Sequence, residues 1–217
     1  MARHLMFGFN VLSLVAMTGL MQPPAAPATA PADAPAPDAQ PTTMDNHPPA
    51  GHPMVLKPGA DWPKGKAEDV ATIDAVIAAY YASTSGKPGE ARDWTRFRSL
   101  FHPEGRLIPA RATGDGGAGA FFLSPDDFVA QNDKYFQKSG FIDTEAARRT
   151  ETFGNIAQVW STYESRRGKD GETPYSRGIT SFQMLKDGGR WWILNVVWDY
   201  ERPDKQLPEK YLSSPKD

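Results

Sequence analysis

From Gly140 onward the apolar residues stop recurring at a helical period and begin to alternate, and they keep alternating as far as Arg202. Four stretches carry the pattern: Phe141–Phe153, Asn155–Arg167, Pro174–Lys186 and Arg190–Arg202. They are joined by Gly154, by Gly168-Lys169-Asp170-Gly171-Glu172-Thr173 and by Asp187-Gly188-Gly189. Alternation places successive side chains on opposite faces of a strand, and short glycine-bearing connectors favour hairpins. The chain therefore ends in a four-stranded antiparallel meander. Such a sheet needs a cover for at least one face, and the cover has to come from upstream.

Upstream the period is helical. Glu68–Ser83 sets Val70, Ile73, Ile77 and Tyr80 or Tyr81 on one face, and Ser83 to Gly86 end it. Trp94, Phe97 and Phe101 are spaced for a second helix, which Pro103 should close. Gly105–Ala110 reads as a short strand and Thr113–Gly119 as a hairpin or loop. A third helix opens with Ser124 as N-cap, Pro125 behind it and Asp126 and Asp127 in the first turn. Phe128, Asn132, Tyr135 and Phe136 form its inner stripe, and Gly140 ends it. Helices grouped ahead of an antiparallel sheet predict an α+β fold. The sheet is long enough to curl around them. The expectation is a cone-shaped α+β barrel, three helices packed on a curved, mostly antiparallel sheet, with one open mouth.

Two further segments precede this domain. Arg3 and His4 lead an apolar run, Leu5–Met21, that breaks at Pro23-Pro24 and is followed by Ala26-Pro27-Ala28. That order reads as a signal peptide over residues 1–28, cleaved before Thr29. The run falls short of a comfortable membrane helix, an uncleaved anchor being the alternative. Residues 29–66 are rich in proline and alanine, too poor in donors and apolar area to fold, and read as a disordered linker. The folded domain is expected over 67–205, with 206–217 as a C-terminal tail. The implied location is periplasmic or secreted, with no stable membrane span once the signal is removed. A chain without cysteine has no disulfide framework, thiolate metal site or lipid-anchored cysteine. A net charge of -2 offers no field for nucleic acid. Met44, Asp45, His47, His52 and Met54 in the linker carry groups that suit copper, but the prolines impede chelation, and no metal or cofactor site is assigned.

The phrases LFHPEGRL, FGNIAQVWSTYESR, RGITSFQML and GGRWWILNVVWDYE, taken with the order of elements, resemble the nuclear transport factor 2-like superfamily, most closely its SnoaL-like bacterial branch. The resemblance covers about residues 67–203. It implies a conical α+β barrel with a pocket between helices and concave sheet, and dimerisation through the outer sheet face. For function it is weak, because the superfamily spans isomerases, dehydratases, cyclases and transport adaptors. The ketosteroid isomerase-like members place a carboxylate base near the end of the first strand, where this chain has Ile108-Pro109-Ala110. They also use an acid on the sheet, which Gly178-Ile179-Thr180-Ser181-Phe182 does not supply. That mechanism is not expected here.

The remaining candidates follow from chemistry and position. His102 is the one imidazole of the folded part and could act as general acid or base with Tyr80. Alternatively it bonds the last carbonyls of a helix closing at Pro103. Tyr81, Trp94, Phe101, Phe128, Phe136, Trp160 and Asn195 are the expected pocket residues. Arg148, Arg149 and Arg177 are expected to pair with Glu145, Glu151 and Glu164 across strands. In the last strand the expected parity turns Trp191 and Ile193 toward the helices, leaving Trp192, Leu194 and Trp198 as an outer face for a second copy. The leading expectation is a domain that binds a small apolar or aromatic ligand. An isomerase, lyase or hydrolase using His102 is the rival, and a dimeric interaction module is the third reading.

Overall fold

The computed structural model describes residues 58–187 and 189–214. The expected signal peptide, most of the linker and its Met44, Asp45, His47, His52 and Met54 lie outside the described residues.

The elements run α1 (Ala67–Val70), α2 (Ile73–Thr84), α3 (Trp94–Leu100), β1 (Phe101–Ala112), β2 (Ala118–Ala120), α4 (Pro125–Ser139), β3 (Ile142–Phe153), β4 (Ile156–Arg167), β5 (Thr173–Asp187) and β6 (Arg190–Tyr200), then a 3-10 turn at Glu209–Tyr211. The six strands form one sheet in the order β2-β1-β6-β5-β4-β3. Every pairing is antiparallel except that of β1 with β6. The sheet is curved and unclosed, and α2, α3 and α4 fill its concave side, which is the α+β cone that the patterning predicts. Among the described residues no helix is long and apolar enough to cross a membrane.

Three boundaries differ from the sequence reading. The first helix is broken, because Thr72 adopts an extended backbone and its side chain accepts from the Ala75 amide, capping α2 afresh. The second helix stops at Leu100, not at Pro103. Phe101 is already extended and pairs with Ile193 of β6, so His102 and Pro103 belong to β1. Proline is tolerated there because the β1–β6 register is irregular between Phe101 and Arg106. Thr113–Gly119 is the hairpin that joins β1 to β2, with Gly116 at φ 83°.

The core is made where the helices meet the concave face. Val76, Ile77, Phe97, Leu100 and Phe101 are fully enclosed, as are Val159, Phe182, Ile193 and Val196 from the sheet. Tyr80 stands edge-on to Phe182, ring centroids 5.0 Å apart. Polar clamps fix the helices. The buried Arg92 guanidinium donates to the carbonyls of Thr84, Gly86, Glu90 and Phe136, tying the ends of α2 and α4 together. Arg96 on α3 donates twice to Asp69 on α1, at 2.8 and 2.7 Å, and these bonds hold the Asp69 carboxyl below its usual range. Arg148 on β3 pairs with Glu145 and with Asp74 of α2, and Arg177 pairs with Glu201.

Parity in β6 is set by an irregularity. Met184 of β5 faces Ile193, but Gln183 faces Asn195, so Leu194 has no partner in β5. The extra residue is a β-bulge and shifts the inward set by one. Trp191 and Ile193 face the helices as expected. Beyond the bulge Val196 and Trp198 face inward too, so Trp198 does not join an outer face. Trp192 does point outward but is only 8% exposed, because the Arg190 guanidinium lies 3.4 Å above its ring and His102 stands edge-on to it. Leu194 is half-buried.

Residues outside the expected domain limits also pack. Trp62 donates its indole N–H to the Phe101 carbonyl and carries Arg98 over its ring. The tail lies on the outer face of β3 and β4, where the Tyr211 ring packs on Trp160 and its carbonyl accepts from Thr162. Replacing Trp191 by Ala should destabilise the protein by about 3–5 kcal/mol, the cost of removing a buried indole. Urea unfolding checks this, and an unchanged midpoint would remove Trp191 from the core.

Candidate functional site

A cavity of about 410 Å³ opens between α2, α4 and the concave ends of β3–β6. The capped helix α4 supplies one wall, Phe128, Asn132, Tyr135 and Phe136. Tyr80 and Thr84 come from α2, Arg111 from the end of β1, and Phe141 and Asp143 from the start of β3. The sheet gives Tyr163 and Ser165 of β4, Tyr175, Ser176 and Thr180 of β5, and Trp198 and Tyr200 of β6. Strand alternation places Tyr163, Ser165, Ser176 and Thr180 on one face, the β6 bulge adds Trp198 and Tyr200, and Tyr175 is the residue skipped at a second register shift, between Ser176 and Pro174. Gly178 on β5 makes room for one of them: a Cβ there would stand 2.6 Å from the Tyr163 hydroxyl and 2.2 Å from the Asp199 carbonyl.

Asp143 is the carboxyl of this cavity. Its backbone is held on both sides by Ser85, whose hydroxyl accepts from the Asp143 amide at 2.9 Å and donates to its carbonyl at 3.1 Å. Its side chain accepts from the Ser165 hydroxyl at 2.8 Å. Among the described residues it has no arginine or lysine partner. Burial among protein atoms penalises the charged form and pushes its pKa up to about 7, against the pull of the Ser165 bond. What surface it keeps is presented to the cavity. Burial likewise raises the phenol of Tyr80 well above its ordinary value and that of Tyr163 to about 12, so both are hydroxyl donors at neutral pH.

Of the residues expected here from sequence, Tyr80, Phe128 and Phe136 line the cavity. The others do not. Tyr81 points past it, its hydroxyl sharing a hydrogen bond with Ser161 at 2.8 Å. Ser161 in turn donates to Glu145, so Tyr81 joins the Arg148 network. Trp94 stands behind Phe128 and Phe136 and donates to Asp133 at 2.7 Å. Phe101 is fully buried beneath Phe97. Trp160 faces outward and is 38% exposed, because its neighbours Val159 and Ser161 take the inward positions. Asn195 also faces outward, donating to Gln183 at 3.0 Å, since the bulge gives Val196 the inward place.

His102 is not brought together with Tyr80. On β1 its Nδ1 accepts from the Glu104 amide at 3.2 Å, and its Nε2 is buried without a partner beside Trp192. It does not line the cavity. Asp143, Arg111, Tyr163 and Tyr200 were missed by sequence reasoning. For Asp143 a signal existed: it shares strand parity with Phe141, the first apolar residue after the Gly140 stop.

Because Asp143 holds its proton more tightly folded than unfolded, its contribution to stability is fully present below about pH 4 and is lost as pH rises through 7. Asp143→Asn should flatten that decline and be the more stable protein at pH 8. The gain should be at most about 4 kcal/mol, at about 1.4 kcal/mol per pH unit between the two pKa values. Urea titrations of both proteins from pH 4 to 8 check it, and parallel curves would refute the raised pKa.

No family model matches the chain, and no curated protein matches it in sequence. Solved structures do. A nuclear transport factor 2-like protein of unknown function from Shewanella baltica is 18% identical, over 60% of this chain and 91% of its own, with a TM-score of 0.41. A protein of unknown function with a cystatin-like fold from Nostoc punctiforme is 12% identical, over 64% and 96%, with a TM-score of 0.47. A putative dehydratase of the nuclear transport factor 2-like family from Streptomyces avermitilis is 12% identical, over 62% and 96%, with a TM-score of 0.46.

Proposed function

We propose that this chain is a binding domain for a small, largely aromatic or apolar molecule held in its cone. The observation that carries the reading is the cavity of about 410 Å³, lined by aromatic rings and by polar side chains that include Asp143. Ligand sites have this size and combine aromatic walls with placed polar groups. A second reading is proton-transfer chemistry, favoured by a carboxyl poised near neutrality beside the Tyr80 hydroxyl. In that reading the acid–base role passes from His102 to Asp143. The leader over residues 1–28 supports an exported protein. The exposed Trp160 and Val197 support pairing with a second copy through the outer sheet face, in place of the covered Trp192 and the inward Trp198.

The test is native mass spectrometry of protein isolated from its producing cell, joined to a thermal-shift screen of small aromatic compounds. A co-purifying small molecule, or compounds that raise the melting temperature of the wild type but not of Ser176→Phe, is the expected result. The variant narrows the cavity from its wall. Absence of both effects in the wild type would overturn the binding reading.

A further inference from the structure

Two other shielded acids among the described residues have arginine partners. Asp69 is held by Arg96, and Glu145, two residues beyond Asp143 on the same face of β3, is held by Arg148. Asp143 alone among these three faces a cavity, with a serine hydroxyl as its one side-chain hydrogen bond. A carboxylate partly withdrawn from water without a paired cation is costly, and no lysine or arginine among the described residues pairs with it. The cavity it faces is also lined by the rings of Tyr80, Phe128, Phe136, Tyr163 and Trp198, and aromatic faces attract positive charge. An anionic centre in an aromatic-lined cavity complements one ligand chemistry above others.

We propose that the cavity takes a small ligand bearing a protonated primary amine on an aromatic body, the ammonium seated against Asp143 and the body against the rings. The inference rests on the binding reading above and adds to it the charge of the ligand. Arg111 stands on the rim of the same cavity, next to Tyr200, and its exposed guanidinium disfavours a second cation at the ligand's far end. The class is thus a monoamine, with a neutral or anionic distal group. Tyr80 and Tyr163 remain hydroxyl donors and add no charge of their own at neutral pH.

The experiment is isothermal titration calorimetry on the full chain at pH 8, where Asp143 is ionised. The probes are 2-phenylethylamine and tryptamine, with 2-phenylethanol and indole-3-ethanol as neutral counterparts. The amines should bind the wild type at least about tenfold more tightly than the alcohols, as a charge-assisted contact requires. In Asp143→Asn that preference should vanish. A second measurement needs no variant. At pH 6.5, amine binding in two buffers of different ionisation enthalpy should release protons, because the ammonium ionises Asp143, and alcohol binding should not. If the alcohols bind as well as the amines, if the preference survives in Asp143→Asn, or if amine binding releases no protons, the amine proposal falls and the binding reading stands. If neither class binds and nothing co-purifies, both fall together.

Discussion

Leu194 is unpaired in a strand that is otherwise fully paired to β5. Strand parity has no memory beyond two residues, so one inserted position reverses which side chains face inward from there on. Before the bulge, Trp191 and Ile193 close the narrow end of the cone against α2 and α3. After it, Val196 continues the core and Trp198 and Tyr200 become walls of the cavity. Without the shift, Asn195 and Val197 would line the concave side, and the cone would lose both its packing on Phe128 and two of its rings. Core and cavity are therefore two products of one strand, separated by a single residue.

The electrostatics follow the same division. Where the concave face is packed, its acids are neutralised by arginines that also staple helices to the sheet, as Arg148 does between Glu145 and Asp74. Where the face is left open, Asp143 has Ser165 and the fixed hydroxyl of Ser85 behind its backbone, and no countercharge. β3 thus carries an ion-paired acid where the face is packed and, among the described residues, an acid without a cation partner where it opens on the cavity. Gly178 belongs to the same arrangement, since any larger residue would displace Tyr163.

Much of the fold was legible in the sequence because it rests on local chemistry. The capping residues of α4, the glycine connectors of the meander and the change of period at Gly140 each act within a few residues, and the structure uses all of them. The cavity was legible in part, through Tyr80, Phe128 and Phe136, which lie on helical stripes. What failed were judgements that depend on distant partners. Phe101 joins β1 because Ile193 is there to pair with it, and His102 goes with it. Asn195 and Trp198 were misplaced because a bulge changes parity without any glycine or proline to announce it, and Trp160 because Val159 and Ser161 take the inward places on β4. Asp143 went unrecognised because its chemistry comes from depth, which one strand's sequence does not express.

The tail that crosses the outer face has a consequence for the fate of the sheet as a surface. β3 is an edge strand, and an edge offers unpaired amides and carbonyls to any other chain. Ser214 takes up one of them, accepting from the Arg148 amide, while Arg149 reaches the Lys210 carbonyl and Tyr211 packs beside Trp160, which stays partly exposed. The opposite edge is β2, only three residues long and drawn from alanine and glycine. One margin is thus guarded by the chain's own last residues and the other is too short to template a neighbour. A protein with a long, aromatic, strongly curled sheet is by this means kept from growing by strand addition.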